Sequence, residues 1–234
     1  MLLPKLREQV LDANLELVRR GLVLSTFGNA SGVDRKKGLI VIKPSGVPYA
    51  KLKATDLVVT DMHGKVVEGK MRPSSDLPTH AALYQAFPSI GGVVHTHSEY
   101  ATAWAQARQS IPCFGTTHAD YFHGPIPLAD MMSDDEIQGE YEANTGTAIV
   151  RVFEKIDPTA IPGVIVPNHG PFAWGTDTQN AAENAWMLET VARLAYLTIG
   201  VNPHAAEIAK TLHDRHFLRK HGAKAYYGQP KREA

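Results

Sequence analysis

Two histidines placed two residues apart, His95 and His97, close the short apolar run Gly91-Gly92-Val93-Val94. Side chains alternate faces along a β-strand, so the pair projects to one side and forms a two-point clamp for a transition metal. A third histidine, His169, follows a second apolar run, Gly163-Val164-Ile165-Val166. Three histidines carried to one sheet rim, with a position left open for a substrate, have the pattern of a catalytic zinc site rather than a closed structural one. The nearest charged candidate for a fourth ligand is Asp76. Such a centre acts as a Lewis acid on a carbonyl and its neighbouring hydroxyl, which stabilises an enediolate.

Three segments add small hydroxyl or amide side chains: Gly28-Asn29-Ala30-Ser31-Gly32, Pro44-Ser45-Gly46 and Pro73-Ser74-Ser75-Asp76. The first reads as a loop whose glycines allow a ligand close to the backbone. The third precedes a helix, where serine and aspartate serve as caps and free N–H groups favour phosphate. Capping alone does not call for all three. Neither GxxxxGK[ST] nor GxGxxG is present, so this is no Walker or Rossmann loop. Metal and phosphate groups together point to a small sugar phosphate.

The composition agrees with an enzyme of that kind. The chain has 234 residues, 44% hydrophobic and 21% charged, which suits one soluble α/β domain with a full core. Lysine plus arginine equals aspartate plus glutamate, 24 against 24, so charge gives no support for a nucleic-acid or membrane partner. The single cysteine, Cys113, excludes an internal disulfide and reads as a small buried hydrophobe. The amphipathic N-terminus is not a signal peptide, and the expected location is cytoplasmic.

Periodicity places the supporting elements. Leu6, Val10, Ala13 and Leu17 predict a helix over 4–20, and residues 22–27 are short and β-prone. Strands are expected over 38–43, 56–61, 65–68 and 163–166, besides the one ending at His95. Helices are expected from the Ser74–Asp76 cap to Phe87, over 98–108, from the capping box at Ser133, from Asp177 or Thr178 to Gly200, and over 204–220. Residues 115–122 read as a polar loop, and residues 146–155 as either helix or strand. Tyr226 and Tyr227 near the terminus imply a docked tail, on the same subunit or a neighbour.

Taken together, Gly28-Asn29, VIKPSGV (41–47), RPSSDLPTH (72–80), GGVVHTHS (91–98), GTTHADYF (115–122), HGPFAWG (169–175) and RKHGAKAYYGQ (219–229) resemble the pentose-phosphate 4-epimerases of the class II aldolase/adducin family. The resemblance spans residues 1–229 as a single domain, with 230–234 a short polar tail. It implies a three-layer α/β/α sandwich around a largely antiparallel sheet, and a homotetramer with sites shared between subunits. It also implies one divalent metal per subunit, normally zinc, on His95, His97 and His169, with Asp76 as an additional ligand. Substrate contacts fall to Gly28, Asn29, Ser45, Gly46, Ser74 and Ser75. Asp120 and Tyr227 match the acid/base pair, Tyr227 coming from the adjacent subunit. The implied reaction interconverts L-ribulose 5-phosphate and D-xylulose 5-phosphate by cleaving and re-forming the C3–C4 bond. L-arabinose and L-ascorbate breakdown both converge on that substrate.

Two departures stand out: Phe27 where these epimerases carry tryptophan, and Leu128-Ala129-Asp130 where Cys-Thr-Arg is usual. Neither is expected to touch a site residue. The closest rival is a sugar-phosphate aldolase of the same family, which releases the aldehyde; those enzymes tend to carry glutamate where Asp76 stands. A non-catalytic, adducin-like scaffold would have no need of three convergent histidines. A zinc hydrolase lacks its HExxH helix here.

Overall fold

The computed structural model describes residues 1–229; the expected polar tail, 230–234, lies outside the described residues. Helix α1 (Pro4–Arg19) opens on proline, whose missing N–H costs nothing there, and buries Val10, Ala13 and Leu17. Then follow strands β1 (Asn29–Asp34), β2 (Leu39–Ile42), β3 (Val58–Asp61) and β4 (Val66–Glu68), helix α2 (Leu77–Ala86) and strand β5 (Gly92–His95). Helices α3 (Glu99–Ala107), α4 (Thr116–Ala119), α5 (Asp134–Gln138) and α6 (Tyr141–Val152) lead to strands β6 (Gly163–Val166) and β7 (Gly170–Gly175). Helices α7 (Thr178–Val201) and α8 (Lys210–His221) complete the chain.

The seven strands form one sheet in the order β4-β3-β2-β1-β5-β7-β6, and every pairing between them is antiparallel. Strand β1 shows the layering, because both of its faces are covered. On one face, Ser31 Oγ lies 2.7 Å from His80 Nδ1 and 2.8 Å from the Tyr84 hydroxyl, both on α2. On the other, a Cβ added at Gly32 would sit 2.7 Å from Thr178 Cγ2 of α7 and 3.0 Å from Val10 Cγ2 of α1. Helices α1 and α7 thus form one layer, and α2 with α6 the other, which is the expected α/β/α sandwich.

Two local expectations change, one strand was not expected, and one open reading resolves. Residues 28–32, expected as a loop, lead into and form most of the central strand β1: two helical layers close on its small side chains, overriding their low strand propensity. Residues 22–27 make a turn instead of a strand, closed by Phe27 N–H donating to the Leu24 carbonyl at 3.0 Å. Strand β7 was hidden by Gly170-Pro171, which look like breakers. Pro171 starts a strand whose carbonyls are used by β5 and by His95. Residues 141–152 are a helix, and its internal Gly146 obscured the period. A Cβ there would meet Ala82 Cβ at 2.6 Å, so the glycine permits close α2–α6 contact.

The caps behave as read. Ser133 and Glu136 form the capping box of α5, and the Asp177 carboxylate accepts the Asn180 N–H at 2.8 Å to start α7. The final helix starts later than expected, at Lys210, and residues 115–122 contain the short helix α4. Among the described residues no helix is long and apolar enough to cross a membrane.

Candidate active site

The site lies at the sheet end where β5 finishes and β1 and β7 begin. His95 pairs with Asn29 on one side and Phe172 on the other, so the three side chains share the face covered by α2. The Phe172 ring stacks on His95 at 4.2 Å between centroids, fixing that imidazole from below. His169 comes from the hairpin between β6 and β7, where Val166 pairs with Gly170 across three residues. Asn168 takes the left-handed conformation this loop requires, with φ of 58°. His97 follows two residues beyond the end of β5.

The three imidazoles converge. Their ring centroids are 4.7 to 5.1 Å apart, and each offers a ligand nitrogen within 4.8 Å of the others. His95 Nδ1 faces the Pro171 carbonyl at 3.0 Å. A carbonyl can only accept, so Nδ1 carries the proton and Nε2 keeps its lone pair for a metal. His169 Nδ1 lies 3.3 Å from the Tyr141 hydroxyl, which can donate or accept and holds the ring in place. Burial pushes His95 down to about 4, against the opposing charge of Asp76, and also lowers His97 and His169. Three convergent imidazoles, each with its pKa lowered by burial, are a donor set that fits a divalent metal.

Asp76 stands at the start of α2, but its carboxylate does not cap the helix. It accepts instead from Asn29 Nδ2 at 2.6 Å, and from Ser74 Oγ at 3.4 Å. Burial pushes this carboxyl up, but the His95 and His80 imidazoles and the Asn29 amide outweigh it and hold Asp76 below the usual range. The mutually close ligand group consists of the three histidines, with Asp76 lining the same cleft beside them.

The predicted anion loops meet here. The Ser74 N–H donates to the Lys43 carbonyl and the Ser45 N–H to the Arg72 carbonyl, both at 3.0 Å, tying the two loops together. Gly28, Asn29, Ser45, Gly46, Ser74, Ser75, Asp76 and the three histidines all line one open cleft of about 400 Å³. Gly28 is required: its φ is 85°, and a Cβ there would stand 3.0 Å from the His95 carbonyl. A histidine-rich end and an end lined by serine and glycine therefore share one cavity.

A matching segment, residues 8–196, fits the family described as the class II aldolase and adducin N-terminal domain. The chain belongs to the class II aldolase/adducin family. It is 57% identical over 225 residues to the L-ribulose-5-phosphate 4-epimerase UlaF of Salmonella paratyphi B, covering 96% of this chain and 99% of that one. The Salmonella typhi protein of the same name gives the same figures. Among solved structures, an L-fuculose 1-phosphate aldolase superposes with a TM-score of 0.77 at 26% identity, over 91% of this chain and 94% of that one. The Escherichia coli protein YgbL shares the fold, with a TM-score of 0.73 at 24% identity, over 91% and 97% of the two chains.

Sequence reasoning missed several residues of this class II aldolase cleft. Lys43 is 2% exposed and lines it, its Nζ 4.7 Å above the Tyr49 ring. Like His95, it ends an apolar run, which is the signal that could have found it. Tyr141 had no such signal, because the start of α6 was not recognised. Phe27 corrects an expectation outright: it touches a site residue, stacking on His97 with centroids 5.5 Å apart and planes 26° from parallel. The turn at 22–27 brings it there. The second departure behaves as expected: Leu128 bridges to Ile165 and Asp130 faces Arg151, outside the cleft.

Asp120 and Tyr227 do not line the cleft within one chain. Asp120 is gripped by α8, with Arg219 Nη2 at 2.7 Å, Arg219 Nε at 3.1 Å and His216 Nδ1 at 3.1 Å. Burial raises its carboxyl, but these donors and Lys220 prevail and hold it below the ordinary value. Tyr227 packs on the same group, its ring 4.7 Å from both the Arg219 guanidinium and Lys220 Nζ. The two residues form one cluster on the α8 side, and Tyr227 remains 58% exposed.

Proposed function

We propose that this protein interconverts L-ribulose 5-phosphate and D-xylulose 5-phosphate. The observation that carries the reading is the cleft itself: three metal-suited histidines facing a phosphate cradle, in a chain 57% identical end to end to proteins named for that reaction. One zinc ion per subunit on His95, His97 and His169, with Asp76 as an additional ligand, would supply a Lewis acid for the C2 carbonyl.

The chain's own groups account for the remaining steps. Lys43, Ser45, Gly46, Ser74 and Ser75 hold the C5 phosphate, with Gly28 and Asn29 beside it. The C4 carbon has no acidic hydrogen, so direct deprotonation cannot invert it. Removing the C4 hydroxyl proton instead lets the C3–C4 bond break, its electron pair moving toward the C2 oxygen. That yields the enediolate of dihydroxyacetone and glycolaldehyde phosphate. The aldehyde turns about its anchored phosphate, C3 attacks its other face, and the new C4 oxygen is reprotonated.

Proton loss and regain at the C4 oxygen need acid/base groups within reach, a role we assign to Asp120 and Tyr227. Because the two cluster together outside their own chain's cleft, this reading requires a neighbouring subunit to present them, in a cytoplasmic homotetramer. Residues 1–229 then act as one domain. The purified protein with zinc should convert L-ribulose 5-phosphate to D-xylulose 5-phosphate; no conversion at any divalent metal would overturn the proposal. The structural likeness to an L-fuculose 1-phosphate aldolase favours a second reading, cleavage with aldehyde release. Accumulating glycolaldehyde phosphate would select it.

A further inference from the structure

We propose that Phe27 is the positioning residue for His97, taking the place of the hydrogen bond that orients each of the other two histidines. The inference rests on reading the three histidines as metal ligands. A ligating imidazole is ordinarily held by a bond from its second nitrogen, which fixes both tautomer and ring plane. His95 has such a partner in the Pro171 carbonyl, and His169 in the Tyr141 hydroxyl. Among the described residues, neither ring nitrogen of His97 has any hydrogen-bond partner. Its ring instead stacks, offset, against Phe27, with centroids 5.5 Å apart and planes 26° from parallel.

The phenyl ring can act as a stop because its backbone is pinned. The Tyr49 hydroxyl donates to the Gly28 carbonyl at 2.7 Å and reaches the Phe27 carbonyl at 3.3 Å. Lys43 Nζ lies 3.5 Å from the Thr26 carbonyl, and the Phe27 N–H closes the turn onto Leu24. The segment bends through a left-handed Ser25, φ 56°, and a left-handed Gly28, φ 85°. The ring itself is 58% exposed, so it contributes little to the core. A large apolar side chain left in solvent, on an anchored loop, against one ligand, is placed for that ligand. A flat ring also restrains the tilt of His97 while leaving it free to swing in its own plane, which a hydrogen bond would not allow.

The test needs no substrate. Zinc affinity is measured by competition with a chromophoric chelator, on wild type and on Phe27→Ala, Phe27→Leu and Phe27→Trp, with thermal unfolding of each metal-free protein alongside. Phe27→Ala should bind zinc about tenfold more weakly, the loss expected for removing a ligand's support, with metal-free unfolding unchanged. Phe27→Trp, which keeps a flat face, should restore wild-type affinity. Phe27→Leu, which fills space without one, should bind as weakly as Phe27→Ala. Zinc binding by Phe27→Ala within about twofold of wild type would overturn the proposal, as would full affinity in Phe27→Leu. Absence of zinc binding by wild type would overturn the ligand assignment itself, a separately visible result.

Discussion

Replacing Lys43 with methionine should separate the cost of a buried charge from its use. The side chain is 2% exposed, yet among the described residues its ammonium has only two long contacts, 3.5 Å to the Thr26 and Pro44 carbonyls, and the Tyr49 ring at 4.7 Å. Burial accordingly lowers its pKa, with Asp76 opposing. Three ammonium protons with so few good acceptors leave a desolvation cost that the fold does not offset. Methionine has similar volume and no charge, so Lys43→Met should unfold no more easily than wild type, and by up to about 1 kcal/mol less easily. On the proposed function, the substrate phosphate loses a charge-assisted hydrogen bond worth roughly 1.5–3 kcal/mol, so KM should rise about tenfold or more. Because the phosphate does not react, kcat should change far less. Denaturant unfolding of the metal-free protein gives the first quantity, and initial rates with L-ribulose 5-phosphate give the second. A variant destabilised by several kcal/mol with an unchanged KM would refute the reasoning and make Lys43 a structural residue.

Chelation should abolish turnover and leave the far-ultraviolet circular dichroism spectrum intact, since the core is built without the histidine cluster; a fully active protein with no metal by elemental analysis would contradict this. Mixed oligomers of Tyr227→Phe and His95→Asn, each inactive alone, should regain activity, because some sites pair a sound histidine cluster with a sound tyrosine; exchange of subunits without recovery would exclude action across an interface. Burial pushes His118 down to about 4, its Nε2 donating to the Gly124 carbonyl at 2.8 Å, while the unfolded chain binds a proton near pH 6.5. Protons therefore favour the unfolded state between those values. Stability is lost as pH falls from 6.5 through 4, by at most about 3 kcal/mol from this group. Unfolding of His118→Gln should show a shallower fall, and parallel curves for variant and wild type would disprove the assignment.

Much of the site was legible in the sequence because its signals are local. A histidine two residues after another, a serine pair before a helix and a glycine between turns each state their geometry within a few residues. The caps at Ser133 and Asp177 and strands such as Leu39–Ile42 follow from the same short-range rules. Where an element's conformation is imposed by what closes over it, the local pattern misleads. Residues 29–34 are a strand because two helical layers need small side chains between them, and Gly146 interrupts a helical pattern because α2 must come close.

Three features of the site were completed by tertiary structure. Lys43 became a cleft residue only when the loops at 43–46 and 72–76 were hydrogen-bonded to each other. Phe27 met His97 only because the turn at 22–27 folds back over the end of β5. Asp120 and Tyr227 were assembled into one cluster by α8, away from the cleft their own chain forms. Side-chain type and spacing set what chemistry a segment can perform. Which segments perform it together depends on contacts between residues far apart in the chain, and no local pattern encodes those.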